Sequence, residues 1–132
     1  MGRKGRLGTL ACLITLIFVN ASVASAHQTD YDRGVGVTLH VTPDDEPIAG
    51  QPSRIIVTKV RAGSWRFSRR GCVCYLRVSD SAGSIVLNKR VRSRTTRFTF
   101  PRATAYEIVF SGRVKRNGRS KRFRTSFAIR AS

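Results

Sequence analysis

From residue 35 onward, apolar side chains recur at every second position in seven successive segments, with turn-forming residues between them. A period of two marks a strand with one buried face, whereas an amphipathic helix repeats at about 3.6. Val35, Val37, Leu39 and Val41 share one face of the first segment; Gly36, Thr38 and His40 share the other. Pro43-Asp44-Asp45-Glu46-Pro47 and Ala49-Gly50-Gln51-Pro52 then break the pattern, as Pro, Gly and Asp do in turns. A second strand is expected over 54–60, followed by a basic connection, 61–71, that contains Trp65 and Phe67. A third is expected over 72–79, with Cys72, Cys74, Leu76 and Val78 on one face, and a fourth over 84–91 after the turn Asp80-Ser81-Ala82-Gly83. The fifth covers 95–100 with Phe98 and Phe100 inward, and the sixth 105–115 with Tyr106, Ile108 and Phe110 alternating. Asn117-Gly118 is a type I′ hairpin signal, because both central residues of that turn need positive φ. In the seventh strand Phe123, Thr125, Phe127 and Ile129 face one way, and Arg122, Arg124 and Arg130 the other. Seven short alternating strands with no helical stretch among them predict an all-β, antiparallel sandwich.

The start of the chain has another character. Arg3, Lys4 and Arg6 precede an apolar run from Leu7 to Val19, and Ala24-Ser25-Ala26 is an A-x-A site. These are the three parts of a secretory signal peptide. Residues 1–26 are therefore expected to be removed, with His27 as the mature N-terminus; retention as a signal-anchor is the alternative. Cys12 lies inside the apolar run, which argues against a lipidated cysteine. Residues 27–34 are polar and read as a flexible or extended segment, and 35–132 as one domain. Cleavage after residue 26 of 132 leaves 106 residues, enough for one modest core. No later apolar run reaches the roughly 20 residues of a membrane span. The expected location is periplasmic or secreted.

The formal charge is +18. Three of those charges lie in the leader, leaving +15 for the mature chain. Asp30, Asp32, Asp44, Asp45 and Glu46 sit together near the mature N-terminus; beyond them only Asp80 and Glu107 stand against 21 Lys and Arg. Such a field draws polyanions by steering and counterion release. Enzyme classes fare poorly. Carboxylates are few, and G-x-S-x-G, H-E-x-x-H, Walker and dinucleotide motifs are all missing from the sequence, so no catalytic residue is expected.

After the leader two cysteines remain, Cys72 and Cys74. An oxidising compartment permits a disulfide. In a regular strand, however, residues two apart have Cα atoms about 6.5 Å from each other, and a bond would need a local kink. A pair of thiols packed in the core, a disulfide and soft metal ligation all stay open.

The segment T-P-D-D-E-P-I-A-G-Q-P-S-R-I-I-V (Thr42 to Val57) resembles the opening of bacterial exported Ig-like domains of the YtkA-like kind. F-T-F-P-R-A-T-A-Y-E-I-V-F (Phe98 to Phe110) is similar to their "tFP…G.Y.l" corner, with Ala105 where a glycine is common. The resemblance implies a seven-stranded Ig-like β-sandwich, and an association of some such domains with copper handling. The chain lacks Met-rich segments, its one methionine being Met1, which argues against thioether binding of Cu(I).

Two sets of residues are candidate sites. For copper, the α-amine and imidazole of a mature His27 form a chelate, His40 offers a second imidazole and Asp30 an oxygen; three nitrogens suit tetragonal Cu(II). For polyanions, Arg66, Arg69 and Arg70 lie beside Trp65 and Phe67 in the long connection, and Arg113, Lys115, Arg116, Arg119, Lys121 and Arg122 surround Asn117-Gly118. Guanidinium forks bind phosphate or sulfate bidentately. The sequence thus predicts an exported, non-catalytic binding module. Candidate partners are copper, an anionic envelope surface (lipid, lipopolysaccharide or acidic glycan), nucleic acid, or another exported protein meeting a strand edge.

Overall fold

The computed structural model describes residues 28–61 and 71–132. These form eight strands: β1 (Gln28–Asp32), β2 (Val35–Val41), β3 (Pro52–Arg61), β4 (Cys72–Asp80), β5 (Ile85–Val91), β6 (Thr95–Thr99), β7 (Ala105–Arg116) and β8 (Arg119–Arg130). They build two four-stranded antiparallel sheets, ordered β1-β2-β3-β6 and β5-β4-β7-β8. The fold is β-sandwich-like: Val35, Val37, Leu39 and Ile55 of the first sheet join Cys74, Leu76, Ile108 and Phe110 of the second in one buried cluster. Alternation in the sequence anticipates these faces. Along β8 the burial runs strictly in and out, with Phe123, Thr125, Phe127 and Ile129 buried and their neighbours exposed. Asn117 and Gly118 have φ of 50° and 71°, the double positive φ of a type I′ turn.

Two polar anchors fix the β6–β7 corner and the β4–β5 turn. The buried Tyr106 hydroxyl donates to Arg102 O at 2.8 Å and accepts from Arg102 N at 3.0 Å. Asp80, also buried, accepts through Oδ1 from the N–H groups of Ala82 and Ser84, while its Oδ2 meets Arg102 Nη2 at 3.1 Å. A carboxylate bonding amides just ahead of it in the chain holds a tight turn closed.

The strand count is eight rather than the seven expected. The added strand is β1, in the segment read as flexible or extended. It pairs antiparallel with β2 through the turn Arg33-Gly34. Its hydrophobic signal is missing because its inward positions are polar, and they are used differently. The two-residue turn makes Arg116 and Arg119 a hydrogen-bonded pair, so pairs along β7–β8 alternate from there. By that count Arg124, Ser126 and Ala128 point their N–H and C=O groups away from β7, at the free edge of β8. β1 meets all three. Gln28 Nε2 donates to Ala128 O at 2.7 Å; Asp30 Oδ2 accepts from Ser126 N and Asp32 Oδ2 from Arg124 N, each at 2.8 Å. Each step of two residues forward on β1 is two back on β8, as in an antiparallel ladder, but with side chains in place of one backbone. One seam between the sheets is thereby closed and the β8 edge is shielded.

Candidate functional site

Of the metal candidates, only Asp30 and His40 lie among the described residues. His27 lies outside the described residues. Asp30 is registered with Val37, on the inner face of the first sheet, and its oxygens accept from Ser126 N and Tyr31 N. His40 alternates with the buried Leu39 and Val41 and so faces the opposite side of that sheet. Asp30 and His40 therefore stand on opposite faces of the first sheet. Nor is His40 a plainly solvated strand residue. Its side chain is 20% exposed, and Nδ1 sits 2.9 Å from Oδ1 of Asp45, which is 6% exposed. Asp44 and Asp45 both have positive φ, and Asp45 Oδ1 also accepts from Val41 N. Four of the five clustered acids are thus within a strand or turn where Asp30, Asp32 and Asp45 satisfy backbone donors. Among the described residues no group of three His, Cys, Asp or Glu could hold a metal ion.

Cys72 and Cys74 are joined as a disulfide with Cα atoms 5.4 Å apart, closer than a regular strand allows. Both are fully buried at the start of β4. Gly112 lies directly across from Cys74 on β7. A Cβ there would come within 2.2 Å of Val73 O and 2.8 Å of Cys74 Cα. The contracted Cys72–Cys74 segment and the missing side chain at Gly112 are two halves of one close backbone approach.

The basic residues of the β7–β8 hairpin divide between faces. Arg113 is paired with Val73 on one side and Arg122 on the other, and all three project from the outer face of the second sheet. Lys115 and Ser120 follow on that face. Lys121 is registered with the buried Val114, so it has inner parity and leaves the core at its end, its Nζ lying near Gly34 of the β1–β2 turn. Arg116 and Arg119 flank the turn itself. Arg66, Arg69, Arg70, Trp65 and Phe67 lie outside the described residues.

Sheet order adds what the chain order conceals. Tyr75 is registered with Arg90 of β5 and Ser111 of β7, and Ser111 in turn with Arg124 of β8. One cross-strand row thus reads Arg90, Tyr75, Ser111, Arg124, and the next reads Val73, Arg113, Arg122. Tyr75 is 45% exposed. A shallow hollow opens between Val73, Tyr75, Gly112, Arg113 and Arg122, and a second continues it toward Gly71 and Lys115. Neither row contains an acid; the face carries Glu107 two rows beyond Tyr75, where Ser126 Oγ bonds it at 2.7 Å. Arg113 and Arg122 are also a non-hydrogen-bonded pair by the count above, the kind with the closest side chains. Like charges directly opposite on a sheet are unfavourable by several tenths of a kcal/mol, and an anion between them reverses the sign. Arg54 and Arg97 form a similar pair on the first sheet, across β3–β6 beside another hollow whose aromatic residue, Phe98, is half-buried. Sequence parity already grouped Arg122 with Arg124; Tyr75 and Arg90 were missed because no pattern within a strand reveals which strands lie side by side.

Comparison with protein-family models, with curated proteins and with solved structures finds no match to this chain.

Proposed function

We propose that this protein is an exported Ig-like domain that binds polyanions through the outer face of its second sheet, and that it docks rather than catalyses. Export is supported by the three-part leader in residues 1–26. The Ig-like reading, and with it the resemblance to YtkA-like domains, is supported by the order β2-β3-β6 against β5-β4-β7-β8 with one extra edge strand. It is supported too by Tyr106, whose hydroxyl ties the start of β7 back to Arg102, in the manner of a tyrosine corner.

The observation that carries the binding function is the acid-free pair of rows in which Arg90, Arg113, Arg122 and Arg124 surround one exposed tyrosine. Anionic polymers release counterions when they dock on such a field, so affinity falls steeply with salt. Copper binding through His27, His40 and Asp30 is not adopted.

Two double variants with equal charge change make the test, Arg113→Gln/Arg122→Gln on the second sheet and Arg54→Gln/Arg97→Gln on the first. Binding to a heparin column and to a fluorescent oligonucleotide is followed across a salt series. Loss of at least about fivefold more affinity in the first variant than in the second is expected. Equal loss in both reduces the effect to net charge, and a flat salt response removes polyanion binding altogether.

A further inference from the structure

Resting on the polyanion reading, we infer that the hollow beside Tyr75 is a site for single-stranded nucleic acid, in which one base stacks on the Tyr75 ring while Arg113 and Arg122 clamp the adjoining phosphate. Tyr75 lies on one of the two inner strands of its sheet, flanked by β5 and β7, so the backbone beneath it is held on both sides. The residue is 45% exposed, in a row with Arg90, Ser111 and Arg124. A large aromatic left open on a rigid sheet, instead of being turned into the core with Phe110 and Tyr106, presents a π-face to a ligand.

The surroundings select the kind of ligand. Val73 extends the apolar floor next to the ring, and Gly112 also lines the hollow. Beyond that floor stand the paired guanidinium groups of Arg113 and Arg122, and along the ring's own row those of Arg90 and Arg124. A ring-sized apolar patch bordered by fork-shaped cations matches a base joined to a phosphodiester. A sulfated glycan satisfies the cations but leaves the ring without a planar partner. In a duplex the bases are already stacked on each other and cannot reach a ring lying on a flat sheet. The hollow of the first sheet combines Arg54 and Arg97 with Phe98, but that ring is half-buried and packs edge-on against Phe100.

The test measures fluorescence anisotropy of the mature protein with a labelled single-stranded oligonucleotide, the matching duplex and labelled heparin, at one fixed salt concentration. Tyr75→Ala is expected to weaken the single strand about tenfold, in keeping with the loss of one base–aromatic stack, and to leave duplex and heparin within about twofold. Tyr75→Phe keeps the ring and is expected to bind all three as the parent does. An Ala variant that weakens all three equally, or none of them, overturns the stacking site. Arg113→Gln/Arg122→Gln reports separately: if it behaves as Arg54→Gln/Arg97→Gln on every ligand, the underlying polyanion face is wrong, whatever Tyr75 does. Circular dichroism of each variant against the parent shows that the sheet is intact, which the exposure of Tyr75 leads one to expect.

Discussion

Replacing Gly112 by Ala tests the close approach that joins the disulfide segment to the rest of the second sheet. The new methyl carbon would lie 2.2 Å from Val73 O and 2.8 Å from Cys74 Cα. Both are backbone atoms of β4, so no side chain can swing away. Ordinary carbon–oxygen contact is more than 3 Å, and β4 and β7 must therefore part by about 1 Å at this point, enough to stretch nearby N–H···O bonds from about 2.9 Å to near 4 Å, where they no longer count as bonds. Two buried backbone bonds lost at about 1–3 kcal/mol each give a destabilisation of about 2–6 kcal/mol. That is a large share of the roughly 5–15 kcal/mol that holds a domain folded. Gly112 also has φ of +148°, a conformation L-residues avoid. Gly118 supplies the control: its φ is +71°, but a Cβ there meets nothing within 4 Å. Gly118→Ala should therefore show the backbone penalty alone, about 1–2 kcal/mol. Urea unfolding of the two variants and the parent, analysed at a common m-value, measures the difference. A Gly112→Ala variant no less stable than Gly118→Ala would refute the contact.

Other variants probe the remaining anchors. Asp30→Ala/Asp32→Ala removes two carboxylate acceptors from the β8 edge, and should lower stability by about 1–3 kcal/mol. It should also speed amide exchange at Arg124 and Ser126; unchanged exchange there would dismiss the side-chain ladder. Tyr106→Phe leaves Arg102 N and O without their buried partner and should destabilise the domain by about 1–3 kcal/mol, read as a fall in melting temperature. Cys72 and Cys74, buried and joined, should resist alkylation in the native protein and react only after both denaturation and reduction; rapid labelling of the folded chain would show free, accessible thiols.

Much of the architecture was legible wherever burial and alternation coincide. Val35 to Val41, Cys72 to Val78 and Phe123 to Ile129 all declare their inner faces, and Asn117-Gly118 declares its hairpin, because these depend on neighbours one to three residues away. β1 escaped because Gln28, Asp30 and Asp32 face inward to bond an edge rather than to fill a core, and a polar inward row looks like a loop. The disulfide was obscured by assuming regular strand geometry at Cys72 to Cys74, when the strand is contracted opposite Gly112. The candidate ligand Asp30 was grouped with His27 by proximity along the chain; the strand pairing shows that Asp30 and His40 stand on opposite faces of one sheet.

Composition and local pattern by themselves determined that this chain is strand-built and strongly basic, and they predict an export leader. Those properties are sums over residues or relations between near neighbours. Which arginines share a surface, and that Tyr75 stands among them, was decided by the order β5-β4-β7-β8. Strand order joins residues far apart in the chain through backbone hydrogen bonds, and those bonds are blind to side-chain identity, so no linear reading can supply it.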